Sequence, residues 1–273
     1  MEQHKTTIYQ GYKIHYRDEG DPSRNTLVLL HGFLQSLTVW DPLLLHLMRK
    51  MRVITIDLPG HGFSLKEDDS PCEVLSMEFM AEAVHTVLRE LGVEQCVMLG
   101  HSLGGYVAWA YAEEHHYFLR GLGLIHSHAL NDTEDIIKRR AEDFQRVQGN
   151  HKAYILDFIP NLFDEKRRSH YEAEISEMKD QCITTRQETI LATLIGMVQR
   201  PDRTQVLANM EVPVLFIYGK NDRRLPLDVG LSQAKIPRHS EIMVLDDVAH
   251  MSFIEMKDYV RPRIENFVNT CYL

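Results

Sequence analysis

The chain has 273 residues, enough for one large domain with a buried core or for a domain that carries a sizeable insertion. Hydrophobic residues make up 44% and charged residues 25%, which is the usual balance of a globular protein. The net charge of -9 argues against a general affinity for nucleic acids or anionic membranes, because both need a basic face.

The chain also lacks the signals of export and of membrane insertion. It has no apolar run of about eighteen residues, and its first residues, M-E-Q-H-K-T-T-I-Y-Q, do not resemble a signal peptide. The four cysteines are far apart in sequence: Cys72, Cys96, Cys182 and Cys271. We therefore expect a cytoplasmic protein with reduced thiols, a monomer or weak homodimer that acts on a small molecule and has no nucleic-acid or membrane partner.

The predicted strands begin with a β-hairpin, T-T-I-Y-Q and Y-K-I-H-Y-R, on either side of Gly11. Further short apolar runs follow, each apolar on both faces: T-L-V-L-L, R-V-I-T-I, Q-C-V-M-L, G-L-G-L-I, V-P-V-L-F-I-Y and E-I-M-V-L. Such runs are typical of a parallel sheet that is covered by helices on both sides.

Helical patterns separate these runs. One predicted helix follows the first run, at V-W-D-P-L-L-L-H-L-M, and another begins with Ser76 as its N-cap and ends at Gly92. A third follows Gly104, and a last one closes the chain with a kink or break expected at Pro262. The alternation of strands and helices predicts a doubly wound α/β sheet.

The alternation stops between about Ser127 and Arg203, where the sequence is helical and charged. We interpret residues 127–203 as a helical insertion, a cap, and residues 1–126 and 204–273 as the α/β core. A few ordinary crossover helices are the alternative, although one crossover needs only about a dozen residues.

The stretch V-M-L-G-H-S-L-G-G places Ser102 at a tight turn from a strand into a helix. Gly100 and Gly104 allow close backbone approach there, and the helix N-terminus favours developing negative charge. A serine nucleophile needs a base and an acid that orients the base. His250 and Asp222 each follow one of the last two predicted strands, at the same sheet edge as Ser102. Asp246 and Asp247 are the competing acids.

Acyl transfer also needs hydrogen-bond donors for the oxyanion. The turn H-G-F directs the backbone N–H of Phe33 toward the same sheet edge, where the N–H of Leu103 would be its partner. We expect His31 to be structural, and no metal is predicted because His126 and His128 lack a third ligand. Predicted pocket residues, each with plain core packing as the alternative, are Trp40, His126, Tyr154, Phe158, Phe163 and Met197.

These motifs together resemble the α/β-hydrolase fold superfamily: H-G-F, D-L-P-G-H-G-F-S, G-H-S-L-G-G, V-P-V-L-F-I-Y-G-K-N-D and A-H-M-S-F-I-E. The resemblance runs from Leu27 to Glu255. It implies an eight-stranded, mostly parallel sheet, a helical cap after the sixth strand and no cofactor. It also supports Ser102, Asp222 and His250 as a triad.

The expected activity is that of a serine hydrolase that cleaves small or medium carboxylic esters through an acyl-enzyme. Related enzymes that open epoxides or remove halides have an aspartate at the position of Ser102, so serine favours acyl chemistry. Two alternatives stay open: a C–C bond hydrolase or a lyase of the menaquinone-pathway type with the same triad, and a ligand-binding receptor with little turnover.

Overall fold

The computed structural model describes residues 5–68 and 73–273, so Cys72 and the first four residues lie outside the described part. One sheet of eight strands forms within that part, in the order β1-β2-β4-β3-β5-β6-β7-β8. The strands are β1 (Lys5–Tyr9), β2 (Tyr12–Glu19), β3 (Thr26–Leu30), β4 (Arg52–Ile56), β5 (Cys96–His101), β6 (Leu119–Ile125), β7 (Val214–Gly219) and β8 (Ser240–Leu245).

The pairing of the strands confirms the predicted sheet. The hairpin strands β1 and β2 are antiparallel, and β2 is antiparallel to β4. Every remaining pair of neighbours is parallel. The residues of β3, β4, β5 and β7 are all buried, as their apolar sequences predict. The prediction that both faces are buried was wrong for β8. This strand lies at the edge of the sheet and leaves Ile242 exposed.

Helices cover both faces of the sheet. Their bounds are α1 (Asp41–Leu47), α2 (Met77–Glu90), α3 (Leu103–His115), α4 (Glu134–Phe158), α5 (Glu172–Cys182), α6 (Gln187–Gln199), α7 (Thr204–Ala208), α8 (Leu227–Gln233), α9 (Ser252–Glu255) and α10 (Lys257–Cys271). Helix α2 packs against α3, and α1 packs against α9 and α10. None of the helices in the described part is both long and apolar enough to cross a bilayer.

The predicted ends of α2 are confirmed, but the predicted break in the last helix lies elsewhere. The Ser76 side chain accepts the N–H of Phe79 at 3.1 Å, and Gly92 follows the helix with a φ of 64°. A kink or a break was expected at Pro262, and the break falls at Met256 instead, where φ is -140° and ψ is 42°. Pro262 lies inside α10. A proline this near the start of a helix removes only one of the early hydrogen bonds.

The segment between β6 and β7 contains α4, α5 and α6. Its contacts with the rest of the chain include a hydrogen bond from the backbone N–H of His250 to the carbonyl of Leu162, at 2.9 Å. Tyr171 donates its hydroxyl hydrogen to the carbonyl of Glu255 at 2.9 Å. The segment is therefore attached to the loops at the carboxyl ends of the strands. That this segment forms a separate cap with boundaries at residues 127 and 203 stays a prediction.

The motif D-L-P-G-H-G-F-S forms a hydrogen-bonded junction after β4. Asp57 is buried, and its carboxylate accepts the N–H of Leu37 at 2.7 Å, the N–H of Phe63 at 2.9 Å and the Nδ1–H of His15 at 2.7 Å. Gly62 is required because a Cβ atom there would lie 2.4 Å from the Asp57 carboxyl carbon. The junction joins β2 to the loops that follow β3 and β4.

We expect Asp57→Asn to destabilise the fold by about 1–3 kcal/mol, because an amide NH₂ cannot accept hydrogen bonds and leaves a buried donor unpaired. Urea unfolding followed by circular dichroism measures this loss. Asp21→Asn is the matched control, because the carboxylate of Asp21 makes its hydrogen bonds with Ser23 in an exposed turn. Equal unfolding midpoints for the two variants would contradict the role of the junction.

Candidate active site

Ser102 lies between β5 and α3 in a backbone conformation that is rare for residues other than glycine. Its φ is 50° and its ψ is -113°. The Ser102 N–H donates to the carbonyl of Ile125 at 3.0 Å, and the Ser127 hydroxyl donates to the Ser102 carbonyl at 2.7 Å. These bonds hold the strained turn in place, as is common where strain serves a site.

The glycines of this turn allow β5 and α3 to approach closely. A Cβ atom on Gly100 would lie 2.2 Å from the carbonyl oxygen of Gly104, and one on Gly104 would lie 2.4 Å from that of Leu30. Neither distance leaves room for a side chain. The half-buried Ser102 side chain is therefore presented at the end of the strand, where the sequence predicted it.

Asp222 and His250 meet in the loops that follow β7 and β8. Asp222 Oδ2 and His250 Nδ1 lie 2.7 Å apart, and both side chains are buried. Because a carboxylate can only accept, the proton of the His250 imidazole is on Nδ1, which leaves Nε2 free to accept another proton. The competing acids do not make this contact, since Asp246 is exposed and pairs with Lys220.

His126, predicted only as a pocket residue, also binds Asp222. Its Nδ1 lies 3.0 Å from Asp222 Oδ2, and its Nε2 accepts the N–H of Ser252 at 3.3 Å. Asp222 Oδ1 accepts the N–H groups of Arg224 at 2.8 Å and Leu225 at 3.1 Å. Burial alone raises the pKa of Asp222, but the two histidines lower this pKa well below its usual range. The carboxyl group is therefore ionised.

The close approach of His126, Asp222 and His250 also resembles a metal site. One ligand atom from each lies within 4.8 Å of the others. The Nδ1 atoms of both histidines, however, already donate to Asp222, and His126 Nε2 already accepts a hydrogen bond. These three side chains thus satisfy one another, and we assign them no metal.

The loop that carries His250 is fixed from three sides. His101 Nε2–H donates to the His250 carbonyl at 2.8 Å, and the His250 N–H donates to Leu162. The Glu255 carboxylate accepts the N–H of Ala249 at 3.1 Å and that of Met251 at 3.2 Å. Sequence analysis missed Glu255, because nothing in A-H-M-S-F-I-E indicates that this side chain turns back onto the loop.

Ser102 and His250 line the same cavity, but the structure has no hydrogen bond between the Ser102 hydroxyl and the His250 imidazole. Proton transfer requires these two groups to come within hydrogen-bond distance. Such contacts are often long in an enzyme without substrate and shorten when substrate binds.

The two predicted oxyanion donors have free N–H groups. Among the described residues, no acceptor is bonded to the N–H of Phe33 or of Leu103, which is the first residue of α3. Gln35 closes the H-G-F turn, since its Oε1 accepts the Gly32 N–H at 2.8 Å and lies 3.0 Å from His101 Nδ1. His101, which directly precedes Ser102, therefore lies beside the turn after β3.

The cavity beside Ser102 and His250 has a volume of about 100 Å³. It is lined by several of the predicted pocket residues: His126, Tyr154, Phe158 and Met197. Two other predictions do not match its lining. Trp40 is fully buried in the core and packs on Phe253, with ring centroids 4.5 Å apart. Phe163 packs on Tyr171 instead, with ring centroids 5.6 Å apart, and lines a neighbouring pocket.

Comparison with known proteins agrees with this fold. Residues 25–137 match the family model of the alpha/beta hydrolase fold. A thermophilic esterase from Thermogutta terrifontis, solved with malate bound, superposes with a TM-score of 0.89 at 27% identity and covers 99% of this chain and 98% of its own. The chain belongs to the α/β-hydrolase fold superfamily.

Curated relatives in this superfamily differ in activity. A 2-hydroxy-6-oxononadienedioate/2-hydroxy-6-oxononatrienedioate hydrolase from Paraburkholderia phymatum is 29% identical over 80% of this chain and 78% of its own length. A pimeloyl-[acyl-carrier protein] methyl ester esterase from Xanthomonas campestris is 26% identical over 89% of this chain and 94% of its own length.

The charged part of the cavity lining of this α/β hydrolase was missed by sequence analysis. It includes Asp132, Arg139, Arg140, Asp143 and Arg224. Most of these residues lie on or just before α4, in a stretch that reads from sequence as a solvated helix face. A helical period shows which charges share a face, but not which face borders a cavity.

We expect His126→Asn to raise the pKa of His250, because the His126 ring donates to the same Asp222 oxygen and so weakens the stabilisation that this carboxylate gives to a protonated His250. Asparagine tolerates the φ of 52° found at this position. An NMR titration of the His250 ring protons measures the change without any need for activity. An unchanged titration midpoint would contradict the coupling, and the exposed His170→Asn is the control.

Proposed function

We propose that this chain is a serine carboxylesterase that acts on a small ester through an acyl-enzyme. The observation that carries this proposal is the buried Asp222–His250 pair beside a strained Ser102 on one cavity. The protonated Nδ1 of His250 leaves Nε2 as the base, which is the form needed to activate a serine hydroxyl.

In the proposed reaction, the Ser102 oxygen attacks the ester carbonyl while His250 Nε2 takes the hydroxyl proton. The N–H groups of Phe33 and Leu103 bind the oxyanion. When the bond from carbon to the alkoxy oxygen breaks, His250 gives its proton to the leaving alcohol. Water then attacks the acyl-enzyme with His250 again as base, and the carboxylic acid leaves as Ser102 regains its proton. Asp222 keeps its charge throughout and stabilises the imidazolium.

The size of the cavity favours a small substrate. The cavity volume of about 100 Å³ favours a short acyl chain over a long one, and the residues around it come from both α4 and the strand-end loops. The similarity to the Thermogutta terrifontis esterase over nearly the whole of both chains also supports ester hydrolysis.

A second candidate is C–C bond hydrolysis by the same residues. The similarity to the Paraburkholderia phymatum hydrolase of 2-hydroxy-6-oxononadienedioate favours it. Turnover of a dienone-type substrate, with none of p-nitrophenyl acetate or butyrate, would select this candidate over the esterase.

We expect a fluorophosphonate probe to label the wild-type protein and not Ser102→Ala. The probe reacts with an activated serine, and the side-chain oxygen that it needs is absent from the variant. Gel fluorescence after a fixed labelling time measures the difference. Ser232→Ala, which removes an exposed hydroxyl that is bonded to the carbonyl of Val229, should label like the wild type. Equal labelling of wild type and Ser102→Ala would refute the proposed nucleophile.

We expect kcat/KM for p-nitrophenyl acetate to rise with pH as His250 loses its proton, with a midpoint below about 6.5. Burial lowers the pKa of His250, and the nearby Asp222 carboxylate offsets only part of that decrease. The neutral, active form therefore persists to lower pH than for a histidine in water. Initial rates across pH 4 to 8, with a stability check at each pH, measure the midpoint. A midpoint above the ordinary histidine pKa would contradict this assignment.

A further inference from the structure

Arg224 is a cation in the cavity wall that makes no direct ion pair, although the carboxylates of Asp143 and Asp222 lie near enough to act on its charge. Its side chain forms no hydrogen bond or ion pair with any described residue, and its buried Nε has no partner. The guanidinium carbon lies 3.8 Å from the ring centroid of Phe158, which lines the same cavity as Ser102. A guanidinium that stacks on an aromatic face leaves its N–H edge free to bind a planar anion.

The acids of the cavity wall make their direct ion pairs with other arginines. Asp132 is paired with Arg140 at 2.5 Å and with Arg200 at 2.7 Å, so two cations already neutralise its charge. Asp143 also faces the cavity and acts on the charge of Arg224, but its ion pair within 4 Å is with Arg146, at 3.6 Å.

The backbone of Arg224 is fixed by the same carboxylate that orients His250. Asp222 accepts the Arg224 N–H at 2.8 Å through Oδ1 and binds His250 through Oδ2. Asp222 thus holds His250, in the loop after β8, and Arg224, in the loop after β7, beside the same small cavity as Ser102. A substrate that reaches Ser102 therefore passes within the volume that Arg224 borders.

We propose that the substrate is an ester whose acyl group carries a second carboxylate, which Arg224 binds while Ser102 attacks the ester carbonyl. This inference rests on the proposed esterase function and names the substrate class of the same site. Hydrolysis of such a monoester consumes water and releases an alcohol and a dicarboxylic acid. The small cavity favours a short dicarboxylic acid over a long one.

The test compares charged and neutral esters of equal length in the Ser102→Ala background, where binding is measured without turnover. Isothermal titration calorimetry is run with the methyl hydrogen esters of succinate, glutarate and adipate, and with the corresponding dimethyl esters. At the best length, we expect the charged ester to bind about 10- to 100-fold more tightly than the dimethyl ester, as for a charge-assisted hydrogen bond.

Adding Arg224→Met should abolish this preference by lowering the affinity for the charged ester to that for the dimethyl ester. Arg223→Met is the matched control, because Arg223 is exposed and pairs with Glu165 outside the Ser102 cavity, so the preference should persist. Thermal unfolding shows whether each variant is folded.

Three outcomes would overturn the inference: equal affinity for charged and neutral esters, no binding of any charged ester, or weaker binding of both classes in Arg224→Met. The last result would assign Arg224 a packing role on Phe158. Labelling of Ser102 without a charge preference would leave the esterase proposal standing and remove this one. A charge preference without labelling of Ser102 would refute the esterase proposal and the ester as substrate, and would leave Arg224 only as a residue that binds a carboxylate.

Discussion

The buried carboxylate of Asp222 is the interaction on which the site depends. An ionised group in a protein interior is tolerated only when its oxygens are fully hydrogen-bonded or paired. Here Oδ2 accepts from the rings of His250 and His126, and Oδ1 accepts from the backbone of Arg224 and Leu225. Each of these bonds fixes a different part of the site: the base, a cavity wall and the loop after β7.

The same arrangement explains why the site could be found from sequence. Parallel strands bring their carboxyl ends to one edge, so Ser102, Asp222 and His250 converge although they are far apart in the chain. The sheet and the Asp222–His250 pair could be predicted from local signals: the apolar strand runs, the turn residues between them and an acid after the neighbouring strand. The roles of His126 and Glu255 had no local signal, because each depends on side chains that only the folded chain brings together.

The misplaced pocket residues have a different physical origin. A large apolar side chain has the same sequence signature in a core and in a cavity wall, so Trp40 and Phe163 could not be separated from Tyr154 and Phe158. The break at Met256 had no signal in the sequence, because proline is the only residue in that stretch with a strong backbone preference, and Pro262 lies inside α10 instead of at the break. Sequence therefore predicted the catalytic edge of the site better than its lining.

The charges on the cavity wall show what tertiary structure adds. In α4 and the residues just before it, acidic and basic side chains alternate, as they do on a solvent-exposed helix. Their net charge does not indicate that some of them line a cavity. In the fold, Asp132 pairs with two arginines and Asp222 accepts from four donors, so Arg224 is left without a direct ion pair and its Nε without a hydrogen bond. Burial lowers the pKa of Arg224 and so disfavours its charge, a cost that an anionic substrate would relieve on binding. Because the loop that carries Arg224 also carries the acid of the Asp222–His250 pair, any movement that weakens substrate binding there also misplaces the base.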